Sequence, residues 1–309
     1  MFSVIFPGQG SQIVGMAHEF YKNFKYVRDY FAHADDLLKR KLSNIILEGP
    51  KDELDLTVNT QAAVFLVSYS IFKVIESETQ FEIKNAKYFA GHSLGEYSAL
   101  CCADALSFED TVKLLNERGK SMQNAVPKGE GGMMAVLGIN ISELNKIIND
   151  NKNNFKTYIA NDNSVGQIVV SGNITSLELL GNELKNKNIK FIKLPVSAPF
   201  HCPLMNKATL EMKQKILETN FRDPYVKIIS NVTAEPLSKT TDIKNYLIEQ
   251  IESPVRWRES VAYMIEFGIN HFIEIGPGKV LSGLIKRIDR NVKLNQVNNL
   301  EDTIKLLND

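Results

Sequence analysis

The stretch from Tyr88 to Ala103 leaves this chain little freedom in how it can fold. Tyr88-Phe89-Ala90 reads as an apolar strand, Gly91-His92-Ser93-Leu94-Gly95 as a tight turn, and the residues through Cys101, Cys102 and Ala103 as a helix. A strand that turns directly into a helix around a serine is a nucleophile elbow. It pushes Ser93 into a strained, exposed position, and the flanking glycines keep Cβ atoms out of the way. The helix N-terminus aims free N–H groups and a positive dipole end at any oxyanion formed there. Two glycines and a serine at this spacing arise by chance in roughly one chain in ten of this length, so the pattern needs partners elsewhere.

The first strand, Phe2 to Phe6, runs into Pro7-Gly8-Gln9-Gly10-Ser11-Gln12. This turn lacks both a dinucleotide fingerprint and a Walker lysine. Its spare N–H groups suit an oxyanion or carbonyl oxygen, and a plain structural turn is the alternative. Residues 15 to 40 carry helical patterns, and Thr57 to Ile75 reads as a helix apolar nearly all round, which belongs inside against a sheet.

On the helix that starts at Ser107, Phe108, Val112, Leu114, Leu115 and Met122 share one side. Arg118 falls on that apolar side with no carboxylate at i±3 or i±4. A buried guanidinium needs an anion. Two readings stay open: an ion pair with a distant acidic residue, or a clamp for a substrate carboxylate.

Residues 127 to 196 change character, with the order βαββαβ of the ferredoxin-like split unit. Asn161-Asp162-Asn163-Ser164 reads as the connection between its middle strands, where asparagines commonly form turns. Strand–helix alternation then resumes. The chain is therefore expected to be α/β, with a mainly parallel-sheet, hydrolase-like large domain (1–126 and 197–309) and an inserted ferredoxin-like small domain (127–196).

Of the five histidines, His18 and His33 lie on helical patterns without a partner, His92 sits inside the turn, and His271 begins a strand. His201, at the apex of a loop with prolines on both sides, is the best general base. Neighbouring Cys202 is the weaker choice of nucleophile, since the elbow supplies a better one. Cys101 and Cys102 read as small packed hydrophobes. No Cys/His metal spacing is present.

Several distant segments resemble the malonyl-CoA:acyl-carrier-protein transacylases of type II fatty acid synthesis. They are Phe6 to Gln12, Gly91 to Glu96, Arg118 to Gln123, Pro195 to Met205, Ser253 to Trp257, and Glu274 to Gly278. The resemblance covers essentially the whole chain. It implies Ser93 as nucleophile, His201 as general base, the Gln9 and Leu94 N–H groups as oxyanion hole, and Arg118 as the malonyl-carboxylate clamp. It implies no acidic third member: the histidine is oriented by a backbone carbonyl, here that of Gln250. Met122, Asn161, Asn163 and Phe200 are weaker pocket candidates, the two asparagines in a small-domain loop facing the cleft. Phe200 resembles the malonyl-selective pattern of related synthase domains, which have serine there when methylmalonyl is taken. Ser253 stands where asparagine is common.

The resemblance implies transfer of malonyl from malonyl-CoA to the phosphopantetheine thiol of acyl carrier protein, with no cofactor or metal. A serine esterase or thioesterase is the alternative, since it shares the elbow. Lys185, Lys187 and Lys190, or Lys286, Arg287 and Arg290, are candidate docking patches for the carrier.

With 36 basic and 36 acidic residues, no global field argues for nucleic acid or membrane binding. Three cysteines and an N-terminus without a signal-peptide pattern point to a cytoplasmic protein, expected to be a monomer.

Overall fold

The computed structural model describes residues 1–196 and 198–307. Ser197, where the second part of the large domain was expected to begin, lies outside the described residues, as do Asn308 and Asp309.

Strand β1 (Phe2–Phe6) is followed by helices α1 (His18–Asn23), α2 (Lys25–Leu38), α3 (Leu42–Leu47), α4 (Lys51–Leu54) and α5 (Thr57–Glu78). Strand β2 (Tyr88–Gly91) leads into α6 (Leu94–Cys102), then α7 (Phe108–Gln123). Next come β3 (Gly131–Leu137), α8 (Ile141–Asp150), β4 (Thr157–Ser164), β5 (Gln167–Asn173), α9 (Ile174–Asn186) and β6 (Lys190–Lys193). The chain continues through α10 (Asn206–Glu218), β7 (Lys227–Ile229), β8 (Pro236–Leu237), α11 (Thr240–Glu249) and α12 (Trp257–Glu266). It ends with β9 (His271–Ile275), α13 (Val280–Ile288), β10 (Lys293–Val297) and α14 (Leu300–Leu307).

The larger sheet has the order β10-β9-β1-β2-β7-β8, parallel throughout except for the short β7–β8 pair. β1 and β2 sit at its centre, so the two turns that follow them open side by side at the same sheet edge. Helix α5 is long and apolar enough to cross a membrane, yet 89% of its most apolar window is buried in this fold. It is the core helix, packed against α6 and α7. Ser107 caps α7 by accepting the Asp110 N–H at 3.0 Å. That start fixes the helical phase that turns Arg118 inward.

The smaller sheet has the antiparallel order β4-β5-β3-β6 with α8 and α9 packed on it, the expected split βαββαβ arrangement. One expectation fails here. Asn161 to Ser164 is not a connection but the second half of β4, and the turn falls at Val165-Gly166. The segment is paired on both sides, with β5 through Asn161–Val169, Asp162–Ile168 and Ser164–Gln167, and with a segment far along the chain. The Asp162 N–H donates to the Val255 carbonyl (2.9 Å), the Val255 N–H donates to the Ala160 carbonyl (2.8 Å), and Arg258 pairs with the Asp162 carboxylate at 2.7 Å. Backbone pairing with β5 on one edge and with Val255 on the other keeps extended a segment whose composition favours a turn. Strand β10 was not anticipated either. It is a partly exposed edge strand, too polar to carry an apolar signature. His33, expected to lack a partner, meets Glu109 at 3.0 Å.

Candidate active site

Ser93 has φ 55° and ψ −110°, a backbone conformation rare for any residue with a side chain. The strain is held by close approach on both sides. A Cβ on Gly91 would lie 1.9 Å from the Gly95 carbonyl carbon, and one on Gly95 would lie 2.3 Å from the Phe6 carbonyl oxygen. Asn231, at the exit of β7, braces the turn by accepting the Ser93 N–H (2.7 Å) and donating to the Gly91 carbonyl (2.7 Å).

Ser93 Oγ lies 2.8 Å from His201 Nε2, and His201 Nδ1 lies 2.8 Å from the Gln250 carbonyl oxygen. A carbonyl can only accept, so Nδ1 carries the proton and Nε2 is left to accept from the serine hydroxyl. His201 itself has φ 57° and is buried. Burial, then the nearby positive charge of Arg118, pushes its pKa down to about 3, so the imidazole is neutral at physiological pH.

Arg118 is fully buried. Its Nη2 donates to Ser93 Oγ (3.1 Å) and to Gln250 Oε1 (2.8 Å), and its Nη1 donates to Gln61 Oε1 (2.8 Å). The Tyr97 ring lies 5.6 Å from the guanidinium carbon. Of the two readings left open for this residue, a direct ion pair is not found: among the described residues no carboxylate touches Arg118, and Glu96 acts on it only from across the Gln250 amide. Its partners are neutral amides and the serine, and its Nε is buried without an acceptor. A cation in this state lacks an anion in direct contact.

The cleft between the two sheets is lined by Gln9, Leu94, Met122, Asn161, Asn163 and Phe200, together with Ser93, His201, Arg118 and Gln61. Among the described residues, neither the Gln9 nor the Leu94 N–H meets a protein acceptor. Asn163 Oδ1 lies 2.9 Å from His92 Nε2, so the small sheet touches the turn itself. Glu274 accepts the N–H groups of Leu281 and Ser282, which anchors the start of α13 where it walls the cleft. Cys202 is buried and burial pushes its thiol up to about 12, so it is no rival nucleophile.

Two residues of this network were not singled out from the sequence. Gln61 lies on a nearly all-apolar helix, and Asn231 follows a three-residue strand. Each is a polar residue buried on or beside an apolar element, and that mismatch is the only clue a sequence offers.

The acyl transferase domain family matches residues 3–300. A malonyl CoA-acyl carrier protein transacylase of Bacillus subtilis is 43% identical over 98% of this chain and 94% of its own length. The solved acyl-carrier-protein-S-malonyltransferase of Bartonella henselae superposes with a TM-score of 0.96 at 41% identity, covering 99% of this chain and 98% of that one. A malonyl-transacylase solved in complex with a type II PKS acyl-carrier protein gives 0.95 at 35% identity, over 99% of both chains. An elbow serine, a neutral histidine and a buried arginine in one cleft, with this likeness along the whole length, place the chain in the malonyl CoA-acyl carrier protein transacylase family.

Proposed function

We propose that this protein transfers the malonyl group from malonyl-CoA to the phosphopantetheine thiol of acyl carrier protein, through a malonyl ester on Ser93, in fatty acid biosynthesis. The observation that carries this reading is the fully buried Arg118, whose Nη2 lies 3.1 Å from Ser93 Oγ with no carboxylate in direct contact. An acyl group ending in a carboxylate supplies an anion for direct contact.

In this reading His201 Nε2 takes the Ser93 proton as Oγ attacks the thioester carbonyl. The Gln9 and Leu94 N–H groups receive the oxyanion, and losing one such donor typically costs about 3–4 kcal/mol. His201 returns the proton to the departing CoA sulfur. The carrier thiol then attacks the malonyl ester with the same histidine as base. Arg118 shapes the first step twice. It holds the malonyl carboxylate, and that carboxylate offsets the positive charge that depresses His201, so malonyl-CoA makes its own base stronger. Acetyl-CoA has no such group. Asn161, Asn163, Met122 and Phe200 shape the pocket. The reading calls for no cofactor, and it is completed by a monomer working in the cytoplasm.

A serine esterase or thioesterase shares the elbow but gives no reason for a buried cation against the nucleophile. Malonyl-CoA mixed with the protein alone is expected to release one equivalent of CoA in a burst and then stop, turnover resuming when holo acyl carrier protein is added. Continuous release of free malonate without a carrier would favour the hydrolase.

A further inference from the structure

Glu96 is almost completely buried, three residues beyond the nucleophile, and the mechanism above does not use it. Its Oε2 accepts the Gln250 side-chain N–H at 2.6 Å and the Asn231 main-chain N–H at 3.3 Å. The same Gln250 amide donates to the Ser93 carbonyl (3.1 Å) and accepts from Arg118 Nη2 through Oε1 (2.8 Å). The Gln250 main-chain oxygen faces His201 Nδ1. A single glutamine therefore stands between the acidic group and both the arginine and the histidine. Because Glu96 can only accept when ionised, it fixes the amide with nitrogen toward itself and oxygen toward Arg118. A negative charge on one end of an amide also polarises the carbonyl at the other.

We propose that Glu96 is a positioning residue acting through Gln250: it is the resident counter-charge of Arg118, which the carboxylate of the acyl group replaces while Glu96 takes up a proton. This rests on the malonyl reading given above. Among the described residues, the charged and titratable groups that face this position are Arg118 from α7, Tyr97 from its own helix, and His201 across Gln250. Burial raises the Glu96 carboxyl to about 7, with Gln250, Asn231 and Arg118 holding it from going higher. A second anion on the same guanidinium removes part of that restraint. With one amide between the charges and an effective dielectric of about 20, the coupling between the two anions is about tenfold. That equals a rise of about one unit in the Glu96 pKa on malonyl binding. Serine acylation is otherwise proton-neutral, since the hydroxyl proton leaves on the CoA sulfur.

The half-saturating malonyl-CoA concentration for Ser93 acylation, read by intact mass, is expected to rise about tenfold from pH 6 to pH 9. In Glu96→Gln, which keeps an acceptor for Gln250 but has no charge to lose, it is expected to stay flat. The same slope in the variant overturns the proposal. Should the variant fail to fold, proton uptake by the wild type decides. A pH indicator in weak buffer at pH 7 is expected to record roughly 0.4 proton per site on malonylation and none on acetylation from acetyl-CoA. The two substrates share the same phosphates, so equal uptake refutes the proposal. If malonyl-CoA does not acylate the wild type at any pH, the malonyl reading itself fails, which is a different outcome from acylation without the slope.

Discussion

Replacing Arg118 by alanine separates substrate choice from chemistry. The side chain is fully buried and holds Gln61, Gln250 and Ser93 Oγ through its two terminal nitrogens. Breaking a buried, hydrogen-bonded charge pair by removing one partner costs about 3–5 kcal/mol. For malonyl-CoA, whose carboxylate would be left without its cation, that corresponds to a loss of about 10²–10⁴-fold in kcat/KM. Acetyl-CoA makes no such contact and does not share this loss. It gains from the second effect, because removing the guanidinium lifts one of the two main causes of the depressed His201 basicity. The assay is the initial rate of Ser93 acylation from each thioester, expressed as a malonyl-to-acetyl ratio. Any general loss from the cavity left in α7 acts on both substrates and cancels in the ratio. A ratio that stays within a few-fold of the wild type would refute the reasoning and return Arg118 to a structural role.

Further outcomes follow from the same geometry. Because the His201 pKa lies near 3 and the neutral ring is the active form, acetylation of Ser93 is expected to show no histidine limb between pH 8 and pH 5; a limb centred near 6.5 would contradict this. In Arg118→Ala that limb is expected to move upward, since one cause of the depression is gone. Gly95→Ala would place a Cβ 2.3 Å from the Phe6 carbonyl oxygen, and urea titration is expected to show a loss of about 3 kcal/mol or more. Asn231→Ala removes the brace on Ser93 N–H and the Gly91 carbonyl, so stability is expected to fall by about 2–4 kcal/mol and the acylation rate to fall with it.

The features legible in the sequence were those set by short-range rules. The strand–turn–helix at Ser93 follows from glycine placement, the inward face of α7 from helical periodicity, and the apex position of His201 from its prolines. What the sequence concealed depends on partners far along the chain. Asn161 to Ser164 has turn composition and becomes strand because β5 pairs with it on one edge and Val255 on the other. Gln61, on an otherwise apolar helix, gains its partner only when α7 brings Arg118 against it, and Glu96, legible only as the end of the elbow segment, meets Gln250 at the end of α11. Gln250 was expected to serve through its main-chain oxygen. Its side chain, which joins Glu96 to Arg118, had no local signature at all.

The most direct test of the account is intact-protein mass spectrometry after brief exposure to malonyl-CoA, with peptide mapping of the adduct. The account predicts one malonyl group per chain, on the peptide carrying Ser93, absent from Ser93→Ala and discharged by the thiol of holo acyl carrier protein. A malonyl group on any other residue, or an adduct that persists in Ser93→Ala, would contradict it.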